Sequence, residues 1–200
     1  MSTVATQFKY STRPVASAKL RTSLARIEKR LSVFVAGPFL DPHWTESDLV
    51  GKTSGTILRY HVSQYVKLME CELILGEHSG VSEITSEVVP TSSSIAASEL
   101  VLVRGADAVI LIPDSPGSFC ELGSWSMIPT VCQKSMIFPN ATFKENSGYL
   151  QNALLPFLAH DYARIEWLDY SDHAKAVGLV EDFLGRITDR VIIRGLKNDH

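Results

Sequence analysis

The chain contains 200 residues, of which 45% are hydrophobic and 20% are charged, and its formal net charge is −3. These values are typical of one globular domain with a sizeable core, and they exclude a chain that is disordered throughout. The slightly acidic balance argues against nucleic-acid binding through a basic surface, so we expect no direct sequence-specific nucleic-acid binding. No run of residues approaches the roughly 18 apolar residues of a membrane-spanning helix, and no signal peptide is evident.

The cysteines and histidines indicate neither a disulfide framework nor a metal site. Cys71, Cys120 and Cys132 have no CxxC spacing and are odd in number, which is typical of free thiols in a reducing cytoplasm. The six histidines are scattered along the chain without a metal-binding pattern. We therefore expect a cytoplasmic protein with no metal and no resident cofactor.

Residues 1–16 are polar and rich in Ser and Thr, which predicts an N-terminal arm, and residues 17–200 are assigned to one α/β domain. Apolar spacing predicts a first helix over 17–31 and a first strand over 32–39. The other predicted strands lie at 71–76, 106–112, 135–139 and 163–170, and the other predicted helices at 57–69, 94–104, 119–128, 147–158 and 172–192. Residues 40–55 and 76–94 are predicted to be loops.

Strands that alternate with helices predict a single Rossmann-like, doubly wound, mostly parallel sheet flanked by helices. The segment ADAVILI at 106–112 is apolar on both faces, as a central parallel strand covered on both sides should be. In such sheets ligands bind beyond the carboxyl ends of the strands, near the point where the strand order reverses.

Two strand ends carry the residues that point to a ligand site. Gly37 follows the first strand, and the segment PDSPGSF at 113–119 follows the central strand. Gly37 and Gly117 permit close approach of the backbone, Ser115 and Ser118 supply hydroxyl groups, and a helix start offers free N–H groups to an anion. Neither GxGxxG nor GxxxxGK[ST] is present, which disfavours an ordinary dinucleotide site or a P-loop.

Asp114 and Glu121 bring two carboxyl groups to this strand–helix junction. Two such groups can divide the work of glycosyl transfer: one stabilises or attacks an oxocarbenium-like carbon, and the other orients a hydroxyl group or handles a proton. The spacing Ser118-x-x-Glu121 also fits a capping box, and Asp114 could cap the turn that follows it. Spacing alone leaves both interpretations open.

The segments VFVAGPF (33–39) and GADAVILIPDSPGSFCELGSW (105–125) resemble the nucleoside 2-deoxyribosyltransferase-like superfamily. The Ser-Pro-Gly-Ser-x-x-Glu-Leu-Gly version is similar to N-glycosidase effectors of bacterial anti-phage systems of the retron type. The flanking segments TSSSIAASELVLVRGAD (91–107) and GYLQNALLPFL (148–158) also fit the family, so the resemblance spans about 32–158.

The resemblance implies that Glu121 acts as the nucleophile or as the electrostatic partner of the ribosyl C1′, and that Asp114 holds sugar hydroxyls or the base. It further implies that Ser115, Gly117 and Ser118 cradle the sugar or its phosphate. A base or sugar would pack against the turn after the first strand, formed by Gly37, Pro38 and Phe39.

Four further residues are candidates with ordinary structural alternatives. The pair Glu77-His78 follows the second strand, and His78 could anchor the substrate or could simply face solvent. Arg59 could bind phosphate or pack on its helix, and Trp44 could stack on a base or fill a hydrophobic gap.

Together these observations predict a hydrolase that cleaves the N-glycosidic bond of NAD or of a purine or pyrimidine nucleotide, as a toxic anti-phage effector. The family's transferases commonly have Gly-Thr before the glutamate, where this chain has Ser-Phe-Cys, so hydrolysis is favoured over base exchange. The alternatives are a nucleotide sensor without catalysis and a nucleoside or nucleotide deoxyribosyltransferase. A homodimer is expected, and a regulatory protein or ribonucleoprotein is a further candidate partner.

Overall fold

The computed structural model describes residues 30–77, 95–145 and 148–197 of the chain. The arm predicted at 1–16 and nearly all of the helix predicted at 17–31 lie outside the described residues. The strands are β1 (Ser32–Ala36), β2 (Glu72–Ile74), β3 (Ala108–Leu111), β4 (Ser135–Ile137) and β5 (Arg164–Ile165). The α-helices are α1 (Ser54–Leu68), α2 (Ile95–Gly105), α3 (Pro116–Ser126), α4 (Pro129–Cys132), α5 (Leu155–His160) and α6 (His173–Lys197). A π-helical turn, Leu150–Leu154, leads into α5, and 3₁₀ turns occupy Glu46–Leu49 and Ala141–Phe143.

The five strands form one parallel sheet in the order β2-β1-β3-β4-β5. Helices flank this sheet, so the predicted doubly wound α/β fold is confirmed. The strand order reverses at β1 and β3, because the chain adds β2 on one side and β4 and β5 on the other. Ligands of doubly wound sheets bind in the crevice at this point.

Alternate residues of each central strand enter different cores. Val33 and Val35 of β1 belong to a cluster that includes side chains of α1 and α6. Phe34 and Ala36 belong to a second cluster that includes side chains of α2 and α3. The side-chain period of two in a strand produces this division, which is why both faces of the strand are apolar.

The last strand is shorter than the sequence pattern predicts. A strand was expected over 163–170, but β5 has two residues and is followed by a single bridge between Asn140 and Leu168. Pro139 lies beside this interruption and has no N–H to donate to the neighbouring strand. Its carbonyl still accepts from the N–H of Leu168 at 3.1 Å, so the two segments stay together without a regular ladder.

The final helix, α6, is amphipathic over its 25 residues. Ala176, Val180, Leu184 and Ile187 are buried and recur at helical spacing, which places one stripe of the helix on the sheet. None of the helices in the described part of the chain is long and apolar enough to cross a membrane.

We expect the substitution Ile110→Ala to lower the free energy of unfolding by about 2–5 kcal/mol, because it leaves a cavity at a fully buried position of the central strand. Urea unfolding followed by circular dichroism measures this loss. Val50→Ala is the control, since Val50 is 86% exposed and its truncation should change the free energy by less than about 0.5 kcal/mol. Equal losses in the two variants would contradict the assignment of the core.

Candidate active site

The carboxyl ends of β1 and β3 approach each other closely at the point where the strand order reverses. A Cβ atom on Gly37 would lie 3.0 Å from the carbonyl oxygen of Ile112 and 3.1 Å from Cδ of Arg59. A side chain at this position would push the two strand ends apart, so the turn after β1 requires glycine. The chain thereby brings the Gly37-Pro38 turn next to the Pro113-Asp114 segment that follows β3.

Helix α3 begins three residues earlier than predicted, because Ser115 and Ser118 cap it. The hydroxyl of Ser115 accepts from the N–H of Ser118 at 3.2 Å, and the hydroxyl of Ser118 accepts from the N–H of Ser115 at 2.9 Å. Pro116 occupies the first helical turn, where its missing N–H costs nothing. The capping box is therefore Ser115 with Ser118, and the alternative in which Glu121 completes a box with Ser118 is wrong.

This start places Glu121 in the second turn of α3 and leaves its carboxyl group without a capping role. Its Oε2 is buried and has no hydrogen-bond partner among the described residues. Burial raises the pKa of Glu121 to about 7, with a further upward contribution from the negative charge of Glu99. The positive charge of Arg59 lowers this pKa, and the negative charge of Glu77 raises it. A buried carboxyl group that titrates near neutrality is a common feature of catalytic sites.

Glu99 is a second acidic group at this site, and the sequence analysis does not name it as a candidate. It projects from α2, and burial together with the charge of Glu77 raises its pKa. Its Oε1 packs against the backbone after β2, since a Cβ atom on Gly76 would lie 2.6 Å from that oxygen. A signal was present: Glu99 is the one charged residue in the otherwise apolar run IAASELVLV at 95–103.

Arg59 is almost completely buried and joins three segments of the site. Its guanidinium group donates to the carbonyl oxygens of Val35 at 2.7 Å and Pro38 at 2.8 Å. It also forms a two-pronged ion pair with Glu77, in which Nη2 lies 2.9 Å from Oε2 and Nη1 contacts Oε1. Glu77 in turn accepts from the N–H of Leu40 at 3.3 Å. Arg59 therefore holds the end of β1 and the segment after β2 in place through its two Nη groups, whereas its Nε is buried without a hydrogen-bond partner among the described residues.

Asp114 caps a helix that is remote in sequence. Its Oδ2 accepts from the backbone N–H of Gly55 at 3.2 Å, near the N-terminus of α1. A Cβ atom on Gly55 would lie 2.2 Å from this oxygen, so the contact exists only because position 55 is glycine. Close by, burial and the charge of Asp114 raise the pKa of Tyr170, whose hydroxyl donates to the carbonyl oxygen of Phe138 at 2.7 Å. One oxygen of Asp114 thus has a structural role, and its role toward a sugar stays a prediction.

Phe39 and Trp44, two candidates for contact with a base, lie next to each other at the turn after β1. Phe39 is 62% exposed and meets Trp44 edge-on at 5.8 Å between ring centroids. The ammonium group of Lys52 lies 4.3 Å from the centre of the Trp44 ring. Exposed aromatic surface with a neighbouring cation is suited to stacking on a nucleobase.

The predicted ligand contacts at the start of α3 and at His78 have less direct support. Gly117 is exposed on the first turn of α3, whereas the Ser115 and Ser118 hydroxyls lie 3.0 Å apart and are engaged in capping. His78 lies outside the described residues. Across the described ranges, no group of three or more His, Cys, Asp or Glu side chains could hold a metal ion.

Fold and site together define a doubly wound α/β protein with a partnerless buried carboxyl group at its strand-order reversal. Comparison with known families identifies the family to which the chain belongs. The family described as STM3845 retron effector protein matches residues 56–195, and the chain therefore belongs to this family.

A curated protein of Escherichia coli, "Retron Ec86 putative ribosyltransferase/DNA-binding protein", is 35% identical over 57 residues. The alignment covers 28% of this chain and 19% of that protein. The expectation of no direct sequence-specific nucleic-acid binding is contradicted by this relative, whose name includes DNA binding. The net charge of −3 was a poor guide, because a formal sum over the chain does not describe how charge is distributed on the surface.

We expect Gly55→Ala to lower the free energy of unfolding by about 1–3 kcal/mol, because the added methyl group displaces the Asp114 carboxylate from the start of α1. Thermal and urea unfolding measure this change. Gly123→Ala is the matched control, since a Cβ atom there meets nothing within 4 Å and alanine favours a helix by up to about 1 kcal/mol. Gly55→Ala should cost much less in an Asp114→Gly background, which removes both the carboxylate and the Cβ atom of residue 114, 2.5 Å from the added methyl group, and full additivity would contradict the contact.

The raised pKa of Glu121 predicts a specific pH dependence of stability. The folded state holds the proton up to a pH of about 7, whereas the unfolded chain releases it near 4.5, so stability falls as pH rises through this window. Glu121→Gln removes this loss, and the variant should gain roughly 1–3 kcal/mol relative to the wild type between pH 5 and pH 8. Urea unfolding at both pH values gives the difference. The exposed Glu181→Gln variant should follow the wild type, and a Glu121→Gln curve parallel to the wild type would contradict the burial.

Proposed function

We propose that this retron effector cleaves the N-glycosidic bond of a nucleotide, with NAD or a purine or pyrimidine nucleotide as the substrate class. The observation that carries the proposal is the Glu121 carboxyl group, which is buried at the strand-order reversal without a hydrogen-bond partner among the described residues. A structural capping residue would have a partner, whereas a group that meets its partner only in the substrate complex would not.

In the proposed reaction Glu121 and Glu99 divide two tasks between them. Burial, together with the negative charge of Glu99, raises the pKa of Glu121 to about 7, so near neutral pH the pair can supply both an ionised and a protonated carboxyl group. The ionised member stabilises or attacks the ribosyl C1′, which develops positive charge as the bond breaks. The protonated member serves as the general acid for the leaving base.

The bond changes balance without a further reactant other than water. The bond between C1′ and the base nitrogen breaks, and its electron pair leaves with the base. Nicotinamide departs as a neutral molecule, whereas a base such as adenine takes up the carboxyl proton. Water then adds to C1′ and loses a proton. After adenine has left, this proton returns to the carboxyl pair and restores the site, whereas after nicotinamide has left it is released to solvent.

The other residues of the site would orient the substrate. Asp114 is a candidate ligand for the ribose hydroxyls through Oδ1, since its contact with Gly55 uses Oδ2. Gly37, Pro38 and Phe39 form the turn against which a base would pack, and the exposed ring of Phe39 supports this placement. Gly117, Ser115 and Ser118 lie at the N-terminus of α3, whose backbone favours an anionic phosphate.

Membership of the retron effector family supports a role in anti-phage defence, in which loss of a nucleotide pool would arrest the infected cell. A transfer reaction to an acceptor other than water is the second candidate, because the relative from retron Ec86 carries the name of a ribosyltransferase. Both reactions share the cleavage step. They differ in whether C1′ ends bonded to a new acceptor or to a hydroxyl group from water.

We expect purified wild type to release free base from at least one member of a panel of NAD and ribonucleotides, measured by chromatography. Glu121→Gln should reduce this release by at least about a hundredfold, since it removes the ionisable group beside C1′. Glu99→Gln should reduce it as well, since it removes the other carboxyl group of the pair. Glu181→Gln is the exposed control on α6 and should retain wild-type activity.

Equal rates of base release in wild type and Glu121→Gln would contradict the proposal. Tight binding of a nucleotide to both proteins without release would favour the sensor instead. Expression of the same variants in bacteria provides a companion measurement, because only the forms that release base should slow growth.

A further inference from the structure

A groove runs along the opposite edge of the sheet from Glu121, past the amino ends of β3, β4 and β5. It consists of two adjoining cavities of about 600 and 400 Å³. Both cavities are lined by Gln133, Tyr162, Ile187 and Arg190, so they form one continuous feature. We refer to it as the amino-edge groove. It shares no lining residue with the candidate active site described above.

Basic side chains from four separate segments line the amino-edge groove. Arg104 lies at the end of α2, Lys134 in the turn before β4 and Arg164 in β5. Arg186 and Arg190 both lie on α6. The chain as a whole carries a net charge of −3, so this is a local concentration of positive charge on an acidic protein. The five basic side chains outnumber the two acidic ones in the lining, Asp107 and Glu166, and this excess of positive charge attracts anionic ligands to the groove.

The two acidic side chains in the lining, Asp107 and Glu166, both make contacts within the protein. Asp107 accepts from the N–H of Ser32 at 3.0 Å and from the Ser32 hydroxyl at 2.9 Å. Asp182 lies 2.7 Å from Arg164 and 3.0 Å from Arg186, and these three side chains form a network on the surface. Glu166 also pairs with Arg164, at 3.0 Å.

Arg104 and Arg190 are left as the available cations. Neither forms an ion pair with another residue in the described ranges, and both are exposed. Arg190 donates one bond to the carbonyl oxygen of Gln133 at 3.1 Å, which positions its guanidinium group over the groove. Lys134 donates to the carbonyl oxygen of Arg104 at 2.7 Å and to that of Ala106, so it fixes the end of α2 beside the groove.

Tyr162 presents an aromatic ring between these cations. The residue is 76% exposed and lines both cavities. Its φ of 71° lies in the left-handed region, which a bulky residue adopts only where the surrounding structure holds it. The turn is held by the N–H of Tyr162, which donates to the carbonyl oxygen of Ala159 at 3.1 Å. An exposed aromatic ring among cations is the arrangement that binds single-stranded nucleic acid, because bases stack on the ring while phosphates meet the cations.

We propose that the amino-edge groove binds single-stranded nucleic acid, with Arg104 and Arg190 contacting phosphates and Tyr162 stacking on a base. Charge complementarity and the placement of the ring carry this proposal, which does not depend on the proposed glycosidase function. Because the groove and Glu121 lie at opposite edges of the sheet, a strand bound in the groove would leave the candidate active site open to a nucleotide. The groove would therefore attach the effector to a nucleic acid without making that nucleic acid its substrate.

The test measures binding of a fluorescein-labelled oligothymidylate of about 20 nucleotides by fluorescence anisotropy, at about 50 and about 200 mM salt. The double variant Arg104→Glu/Arg190→Glu should lose at least tenfold in affinity, and its log–log salt slope should fall by about 1.4, or roughly 0.7 for each lost phosphate contact. The control is Lys67→Glu/Lys175→Glu, which changes the net charge equally at exposed positions outside the groove. It should stay within about threefold of the wild type, since distant surface charges are screened.

Tyr162→Ala should weaken binding by about 5- to 100-fold, and Tyr162→Phe should retain it, because stacking needs the ring and not the hydroxyl. Arg104→Gln/Arg190→Gln, checked by circular dichroism, replaces the charge-reversal variant if that protein does not fold. The proposal is overturned if the wild type does not bind at the lower salt concentration. Equal losses in the groove variant and the lysine control, or preferential binding of a duplex of the same length, would overturn it as well.

Discussion

The ion pair between Arg59 and Glu77 is the contact on which the geometry of the candidate active site depends. A guanidinium group that is 2% exposed is costly to bury, and it is tolerated here because three carbonyl oxygens and a carboxylate accept from it. Those acceptors belong to β1, to the turn after it and to the segment after β2. Removal of either charge would leave the other buried and unpaired, so these segments are held in one arrangement.

The same ion pair determines how the other two carboxyl groups behave. The positive charge of Arg59 is compensated locally by Glu77, so little of it remains to stabilise negative charge on Glu99 and Glu121. Burial then dominates, and the pKa values of both groups rise. A site with one more arginine would hold two ionised carboxylates, and it would lack a proton donor at neutral pH. The excess of carboxyl groups over cations is therefore what provides acid–base capacity at the candidate site.

The fold was predictable because its signals are local. The apolar run at 106–112 and its alternation with helical segments required a covered parallel sheet. The site was predictable only where a motif is contiguous in sequence, as in the segment that contains Asp114 and Glu121. Gly55 was missed because its partner, Asp114, is 59 residues away, and a glycine near a helix start gives no sign of a distant carboxylate. Glu99 was missed because a single acidic residue in a helix is usually solvated, and only the sheet topology shows that this turn of α2 faces the strand ends.

The two edges of the sheet carry opposite charge, and the topology explains how one small domain maintains this separation. The five strands are parallel, so the helix-to-strand turns that the structure describes lie at the amino edge and the described strand-to-helix turns lie at the carboxyl edge. The C-terminus of α2, with its exposed carbonyl oxygens, favours the cations Lys134 and Arg104 at the amino edge. The N-termini of α1 and α3 favour anionic groups at the carboxyl edge, where Asp114 already caps one of them. The helix dipoles thus favour acidic side chains at the carboxyl edge and basic side chains at the amino edge. For this reason a chain with a negative net charge can still have a basic groove.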